Sequence, residues 1–329
     1  MRREKIFAKD DNIREIRDRY PEGLHFVVGD VHGEGKTLKA LMSKIEFDPK
    51  IDHIYFIGDY NFGGNPTSLL QYISQYYQAD YNQPGFHLIR GNHERELMPE
   101  YYLANLPDII VFRGEKMDYY LAHAGMVKDV FRLIQKDMTL NDDKTVLAYK
   151  LDDRCVQLDA PFRQVIWSRR GLYSQRSRWH VWPSTNELVD TNACIIHGHS
   201  PYCFFVNNYF SYGDDNIYWE NQHIWFSEDL CSFNIDANIK GRFENGEGYR
   251  NLSCLCIEIL EEIASQNDGT LTIEGIISHP VNGCFTAPYV SGVFAIFNGD
   301  LHRILDATPE MKMITIDENE NPAIHPIGY

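Results

Sequence analysis

The chain has 329 residues, 43% hydrophobic and 24% charged, which supports a sizeable core and argues against wholesale disorder. Its formal net charge is -16, from 31 basic and 47 acidic residues. That balance argues against general nucleic-acid binding, which needs positive surface to displace counterions, and leaves room only for a local positive pocket.

Residues 1–23 are highly charged and lead into the first predicted strand, the apolar run Leu24–Val28. That strand ends on Gly29-Asp30-Val31-His32-Gly33, and a helix is expected from Lys36 to Met42. A second strand, His53 to Asp59, closes on Gly58-Asp59 and precedes a glycine-rich loop over 61–66. Thr67 is placed to cap a helix from Ser68 to Gln78. A third strand begins at Phe86 and ends at Gly91, within the block Arg90-Gly91-Asn92-His93-Glu94, and Glu94 to Ala104 reads as helix or turn. Val111–Phe112 and Tyr119–Ala122 form a hairpin around Gly114-Glu115-Lys116, and its second arm runs into His123-Ala124-Gly125.

Residues 127–165 read as helical and polar, and 171–192 as a loop-rich stretch after Trp167-Ser168-Arg169-Arg170. Ala193–Ile196 is another apolar run, ending on His197-Gly198-His199-Ser200-Pro201. The aromatic segment 202–226 reads as an irregular insertion on the body, or as one wall of a substrate cleft. Asn234-Ile235-Asp236 opens a further sheet segment, Asn251–Leu260 reads as a strand, and 261–329 holds short apolar runs. Strands alternating with helices and then pairing antiparallel indicate α/β layers rather than a strictly parallel fold.

Five apolar runs thus end in Asp, Asn or His, usually beside glycine, and five strand ends in one sheet would bring those side chains together. These residue types offer oxygen and nitrogen donors to first-row divalent metals. Asp30 and His32 can hold one ion, Asp59 can bridge, and Asn92, His123 and His199 can hold a second. Two ions about 3.5–4 Å apart would clamp a phosphoryl group and acidify a bridging water. His93 would then be available to protonate the leaving oxygen.

The series Gly-Asp-x-His-Gly, Gly-Asp, Gly-Asn-His-Glu, His-Ala-Gly and Gly-His-Ser-Pro resembles the metallophosphoesterase superfamily. It is most similar to the phosphoprotein phosphatase branch and its bacterial and phage members, over residues 24 to about 260. The resemblance implies a four-layered α/β/β/α sandwich, here with an aromatic insertion and a C-terminal β-rich extension. The catalytic domain would cover 1–260, and 261–329 would pack on it. It also implies two divalent ions, manganese first, with iron or zinc as alternatives. Asp30, His32 and Asp59 would serve one ion; Asp59, Asn92, His123 and His199 the other. His93 and Asp59 would be catalytic, and Arg90, Arg169 and Asn92 would contact the substrate phosphate. Substrates would be phosphate monoesters, a phosphorylated protein foremost, attacked by a metal-bridging hydroxide without a covalent enzyme intermediate.

One departure is marked. The family follows its second Gly-Asp with x-x-Asp-Arg-Gly, whereas this chain reads Gly58-Asp59-Tyr60-Asn61-Phe62-Gly63-Gly64. Phe62 and Gly63 replace the Asp that orients the acid histidine and the Arg that grips phosphate. Restoring that pair is expected to raise monoester turnover. The loss opens two other readings: a dinucleoside polyphosphate hydrolase or phosphodiesterase on the same scaffold, and a catalytically weak metal-binding interaction protein. His197 competes with His199 for one ligand role, and Arg170 with Arg169. His25, His53, His87 and His180 read as structural, and Glu94 as a loop support rather than a ligand. Seven scattered cysteines without a Cys-x-x-Cys pair suit a reducing compartment. With no signal-peptide pattern and no membrane span in the sequence, a cytoplasmic protein without membrane partners is expected.

Overall fold

The computed structural model describes residues 5–6, 13–60, 63–97, 106–141, 144–152, 181–182, 192–199, 216–219, 224–227, 232–237, 239, 250–281, 283–292, 294, 311–317 and 321–327. Strands β2 (His25–Val28), β3 (His53–Phe56) and β4 (Gly85–Leu88) run parallel in one sheet. On the other side of β2, β14 (Asn251–Cys256) lies antiparallel, and β15 (Cys284–Pro288) completes the sheet beyond it.

A second sheet has ten strands among the described residues. Its middle is β10 (Ala193–His197), β6 (Asp118–Ala122), β5 (Ile109–Arg113) and β8 (Val146–Leu151), in that order. Beyond β8 come β16 (Lys312–Ile316) and β17 (Pro322–Pro326). Beyond β10 come β13 (Ser232–Asn234), β12 (Ile224–Ser227), β11 (Asn216–Trp219) and β1 (Lys5–Ile6). A separate short pair joins β7 (Met126–Val127) to β9 (Val181–Trp182).

Alternation along the strands divides the apolar residues between two cores. In β5, β6 and β8, Ile110, Phe112, Tyr119, Leu121, Val146 and Ala148 join the core shared with the first sheet. Their neighbours Ile109, Val111, Tyr120, Leu147 and Tyr149 pack instead with Val130, Phe131 and Ile134 of helix α5 (Lys128–Met138). On the outer face of the first sheet, Phe86 meets the rings of Tyr72 and Tyr76 on α3 (Pro66–Tyr76) at 6.0 and 5.2 Å. Helix α2 (Gly35–Lys44) adds Leu38 and Leu41 to the same core. The layers are therefore helix, sheet, sheet, helix, as the resemblance implies. Each large apolar side chain fully buried this way contributes about 1.5–3 kcal/mol.

The inner face of the first sheet, far from the strand ends that carry the motifs, holds a ladder of imidazoles. His25 stacks on His53 with ring centroids 4.5 Å apart, His53 on His87 at 5.3 Å, and His87 on Tyr55 at 4.9 Å. Phe112 closes the ladder from the facing sheet, 4.6 Å from His25. Histidine is admitted here because each ring finds a polar partner. His25 Nδ1 lies 2.6 Å from Glu258 Oε1, His53 Nδ1 lies 3.1 Å from His87 Nε2, and His87 Nδ1 lies 3.2 Å from the Gln78 carbonyl.

Several sequence expectations change. Helix α3 begins two residues earlier than expected, at Pro66, because the side chain of Asn65, not Thr67, accepts the Ser68 N–H at 3.0 Å. The helix expected over 127–165 stops at Met138, and Val146–Leu151 is the central strand β8, buried on both faces by the two cores. The strand expected over 251–260 ends at Cys256, where helix α6 (Ile257–Ser265) starts. Two parts of the aromatic segment are strands, β11 and β12, within the second sheet. Residues 261–329 supply strands to both sheets, β15 to the first and β16 and β17 to the second. No described helix is long and apolar enough to cross a membrane.

Candidate metal centre

The five motif-bearing strand ends do not share one sheet. Asp30, Asp59 and Asn92 follow β2, β3 and β4 of the first sheet, whereas His123 and His199 follow β6 and β10 of the second. The site forms where the two sheets meet along one edge. His199 N–H reaches across the join and donates to both Asp30 oxygens at 3.2 and 3.1 Å, while within the second sheet Gly198 N–H donates to the His123 carbonyl at 2.8 Å. Asp30, His32, Asp59, Asn92, His123 and His199 are all buried. His93 is the partly open ring, with 22% of its side chain accessible.

Two groups of potential ligand atoms arise among the described residues. His32, Asp59 and His93 form one, and Asp59, His123 and His199 the other. Asp59 is common to both. Its Oδ2 lies 3.8 Å from His32 Nε2 and 3.7 Å from His93 Nε2, and its Oδ1 lies 3.3 Å from His123 Nε2. Asp30 flanks the first group, 3.9 Å from His32 Nε2. Asn92 flanks the second, with Oδ1 2.8 Å from His123 Nε2.

The chemistry of this donor set fits a cation. His123 Nδ1 lies 2.9 Å from the Ile57 carbonyl, so it carries the ring proton and donates it there. That tautomer turns the Nε2 lone pair inward, toward Asn92 Oδ1, Asp59 Oδ1 and His199 Nδ1, the last 3.2 Å away. Lone pairs that converge this closely repel one another unless a proton or cation sits among them. The carboxyl of Asp30 tells the same story. Burial first, then the charges of Asp236 and Asp59, push it well above the usual carboxylate range. A bound dication reverses that balance.

The backbone is strained at the same places. Among the described residues, six other than glycine have positive φ, and three of them are His32 (49°), Asp59 (57°) and His199 (67°). Side-chain-bearing residues rarely adopt this conformation, and it persists where the surroundings impose it.

Glu94 does act as a loop support: its carboxylate accepts backbone N–H groups from Asp59, Tyr60 and Gly91. His197 turns its Nε2 to Ser232 Oγ at 3.2 Å, and His199, not His197, joins the ligand group. Arg90 is buried and forks onto Asp108 through Nε and Nη2. Arg169, Arg170 and Phe62 lie outside the described residues. Gly63 has φ 118°, and a side chain there would strike the His32 carbonyl. Simple restoration of an arginine at 63, which the sequence suggested, therefore conflicts with the backbone that packs on His32.

The sequence reading passed over Asp236. It follows β13, which runs parallel to β10, so it is a sixth strand end at the same edge, 3% exposed and close enough to raise Asp30. The signal was weak: Ser232-Phe233-Asn234-Ile235-Asp236 also ends on a carboxylate, but it is a less apolar run with no glycine beside it.

A family profile described as calcineurin-like phosphoesterase matches residues 26–240, which takes in every strand end of the site. Over 71 residues the chain is 39% identical to serine/threonine-protein phosphatase 2 of Escherichia coli, covering 21% of this chain and 28% of that protein. Over 78 residues it is 35% identical to a symmetrical bis(5'-nucleosyl)-tetraphosphatase of Photorhabdus laumondii, covering 23% of this chain and 26% of that one. The matched stretches span only a minority of either relative's length. The solved structure of a protein serine/threonine phosphatase from Saccharomyces cerevisiae is 14% identical, covering 88% of this chain and 84% of that one, with a TM-score of 0.46. With the profile spanning well over half its length and the profile's range enclosing the ligand-bearing strand ends, the chain belongs to the calcineurin-like phosphoesterase family.

Proposed function

We propose that this protein hydrolyses phosphate monoesters with two divalent ions, and that a phosphorylated protein is its substrate. The observation that carries this reading is Asp59, one carboxylate belonging to two ligand groups. Asp30, His32 and Asp59 would hold one ion, and Asp59, Asn92, His123 and His199 the other. The mixed oxygen and nitrogen donors suit manganese, iron or zinc, and manganese best where carboxylates and an amide take part. When bound, such a pair polarises a phosphoryl group and lowers the pKa of water.

The chain's own residues supply the rest. His93 is the most open ring of the site and lies beside Asp59, so it is placed to give a proton to the leaving oxygen. A phosphate contact by Arg90 would come from a guanidinium that Asp108 already holds through Nε and Nη2. Asn92 and Arg169 would complete the phosphate site. The four described cysteines are buried, and a reducing cytoplasm would keep them as thiols.

A second reading, hydrolysis of dinucleoside polyphosphates, is favoured by Gly63. Without the family's arginine beside the ions, the grip on a doubly charged monoester is reduced more than the grip on a singly charged internal phosphate. The test is a panel of phosphopeptide, nitrophenyl phosphate and dinucleoside tetraphosphate, assayed with added manganese on the wild type and on Asp59→Asn. The monoester reading expects phosphopeptide turnover that Asp59→Asn abolishes. Higher kcat/KM on the dinucleotide would establish the second reading. No turnover on any substrate by a protein that binds two ions would leave a metal-binding interaction protein.

A further inference from the structure

Glu94 lies in the first turn of α4 (Asn92–Leu97) and is 1% exposed. Its Oε2 accepts the N–H of Asp59 at 2.7 Å and of Gly91 at 2.9 Å, while Oε1 accepts the N–H of Tyr60 at 2.7 Å. The first and last of these matter together. The N–H of Asp59 belongs to the peptide plane before its Cα, and the N–H of Tyr60 to the plane after it. One carboxylate holding both planes fixes φ and ψ of the residue between them. That residue is Asp59, at φ 57°, a conformation uncommon for residues with a side chain, though aspartate enters it more readily than most.

The Gly91 bond ties the second loop to the same anchor. Gly91 must lack a side chain, because a Cβ there would strike both the Asp59 carboxylate and the Glu94 carboxylate. The His93 N–H, one residue from Glu94, then donates to Asp59 Oδ1 at 3.2 Å. Four backbone N–H groups, three donating to the Glu94 carboxylate and one to Asp59 itself, thus aim the Asp59 carboxylate.

We propose that Glu94 is a positioning residue, which holds Asp59 in its left-handed conformation so that its two oxygens face the two ligand groups. This rests on the two-ion reading of Asp59 given above. Glutamine cannot replace it. A carboxamide offers one oxygen, and its NH2 would face an N–H donor where an acceptor is needed. Aspartate keeps the charge and both oxygens but falls one methylene short.

The experiment titrates manganese into metal-free wild type, Glu94→Gln and Glu94→Asp by calorimetry. It also records the electron paramagnetic resonance of the loaded proteins and the melting temperature of the metal-free ones. Partners that orient a metal ligand are each worth about 10–100-fold in affinity. Glu94→Gln is expected to lose that much at both sites and to lose the spin-coupled signal of a bridged pair. Glu94→Asp is expected to lose less, and it keeps the test available if Glu94→Gln does not fold. Wild-type affinity and an intact coupled signal in a folded Glu94 variant would overturn the inference. So would a lower melting temperature with unchanged affinity, which would make Glu94 a stabilising residue only. A wild type that binds no pair of ions would instead remove the two-ion reading itself.

Discussion

Arg90 and Asp108 form a buried two-pronged ion pair: Nε to Oδ1 and Nη2 to Oδ2, each 2.8 Å, with the residues 3% and 0% exposed. The sequence marks Arg90 as a phosphate ligand because it precedes Gly91-Asn92-His93-Glu94. The structure adds a second tie, since Asp108 also accepts the Leu151 N–H at 2.7 Å and so joins the end of β4 to β8. Removing one partner of such a pair strands a buried charge, at a cost of about 3–5 kcal/mol. Arg90→Met is therefore expected to lose that much in urea denaturation. Arg90→Met with Asp108→Leu should recover a large part of it. If the double variant is stable but its KM for nitrophenyl phosphate is unchanged, Arg90 contributes nothing to the phosphate site.

His93 should betray its role through the leaving group. As a general acid it contributes about 10²–10⁴-fold on a substrate whose leaving oxygen is strongly basic. His93→Ala should lose kcat by that factor on a phosphoserine peptide and by much less on nitrophenyl phosphate, whose leaving oxygen hardly needs a proton. Equal losses on the two substrates would instead assign the ring to the ligand group it forms with His32 and Asp59.

Gly63 is expected to resist substitution. The loop that holds it lies on the first motif: Asn65 N–H donates to the Gly33 carbonyl at 2.9 Å, and Gly63 packs on the His32 carbonyl. At φ 118° a residue with a side chain is strained whatever space surrounds it. Gly63→Ala should destabilise the protein by at least about 1 kcal/mol. Gly63→Arg, alone or with Phe62→Asp, should weaken manganese binding, because His32 moves with its carbonyl. A well-folded double variant with wild-type metal affinity and higher monoester kcat/KM would show that the loop can be rebuilt after all.

The imidazole ladder predicts acid sensitivity. Burial, and then the charge of neighbouring His25, pushes His53 down to about 4, and burial with the charge of His53 pushes His87 well below its ordinary value. In the unfolded chain both titrate near the ordinary histidine value of about 6.5. Between those limits the unfolded state binds more protons, so stability falls as pH drops through this window. The groups around the ladder are Glu258 against His25, Asp80 near His53, and Tyr55 and Tyr81 against His87. His53→Phe keeps the stack and removes one titrating ring. Its urea midpoint should fall less between pH 7 and pH 4.5 than that of the wild type. An identical pH dependence would place the acid sensitivity elsewhere.

The sequence by itself singled out the candidate ligands that the structure brings together, because they follow apolar strands, most of them beside glycine, and both residue type and spacing are local properties. Asp30, His32, Asp59, Asn92, His93, His123 and His199 were all legible that way, and so was the layered fold, through period-two alternation and intervening helices. Local signals failed where a segment's state depends on what covers it. Val146–Leu151 reads as a continuation of a polar helix, yet it is a central strand because two cores close on its two faces. Asn251–Leu260 reads as one apolar run, yet it turns from strand to helix at Cys256. Only the tertiary structure decided that the site lies between two sheets, that Arg90 is paired with Asp108, and that Asp236 stands beside Asp30. Each of these joins residues far apart in the chain. Their partners are chosen by burial and hydrogen bonding in three dimensions, which no local pattern of residues records.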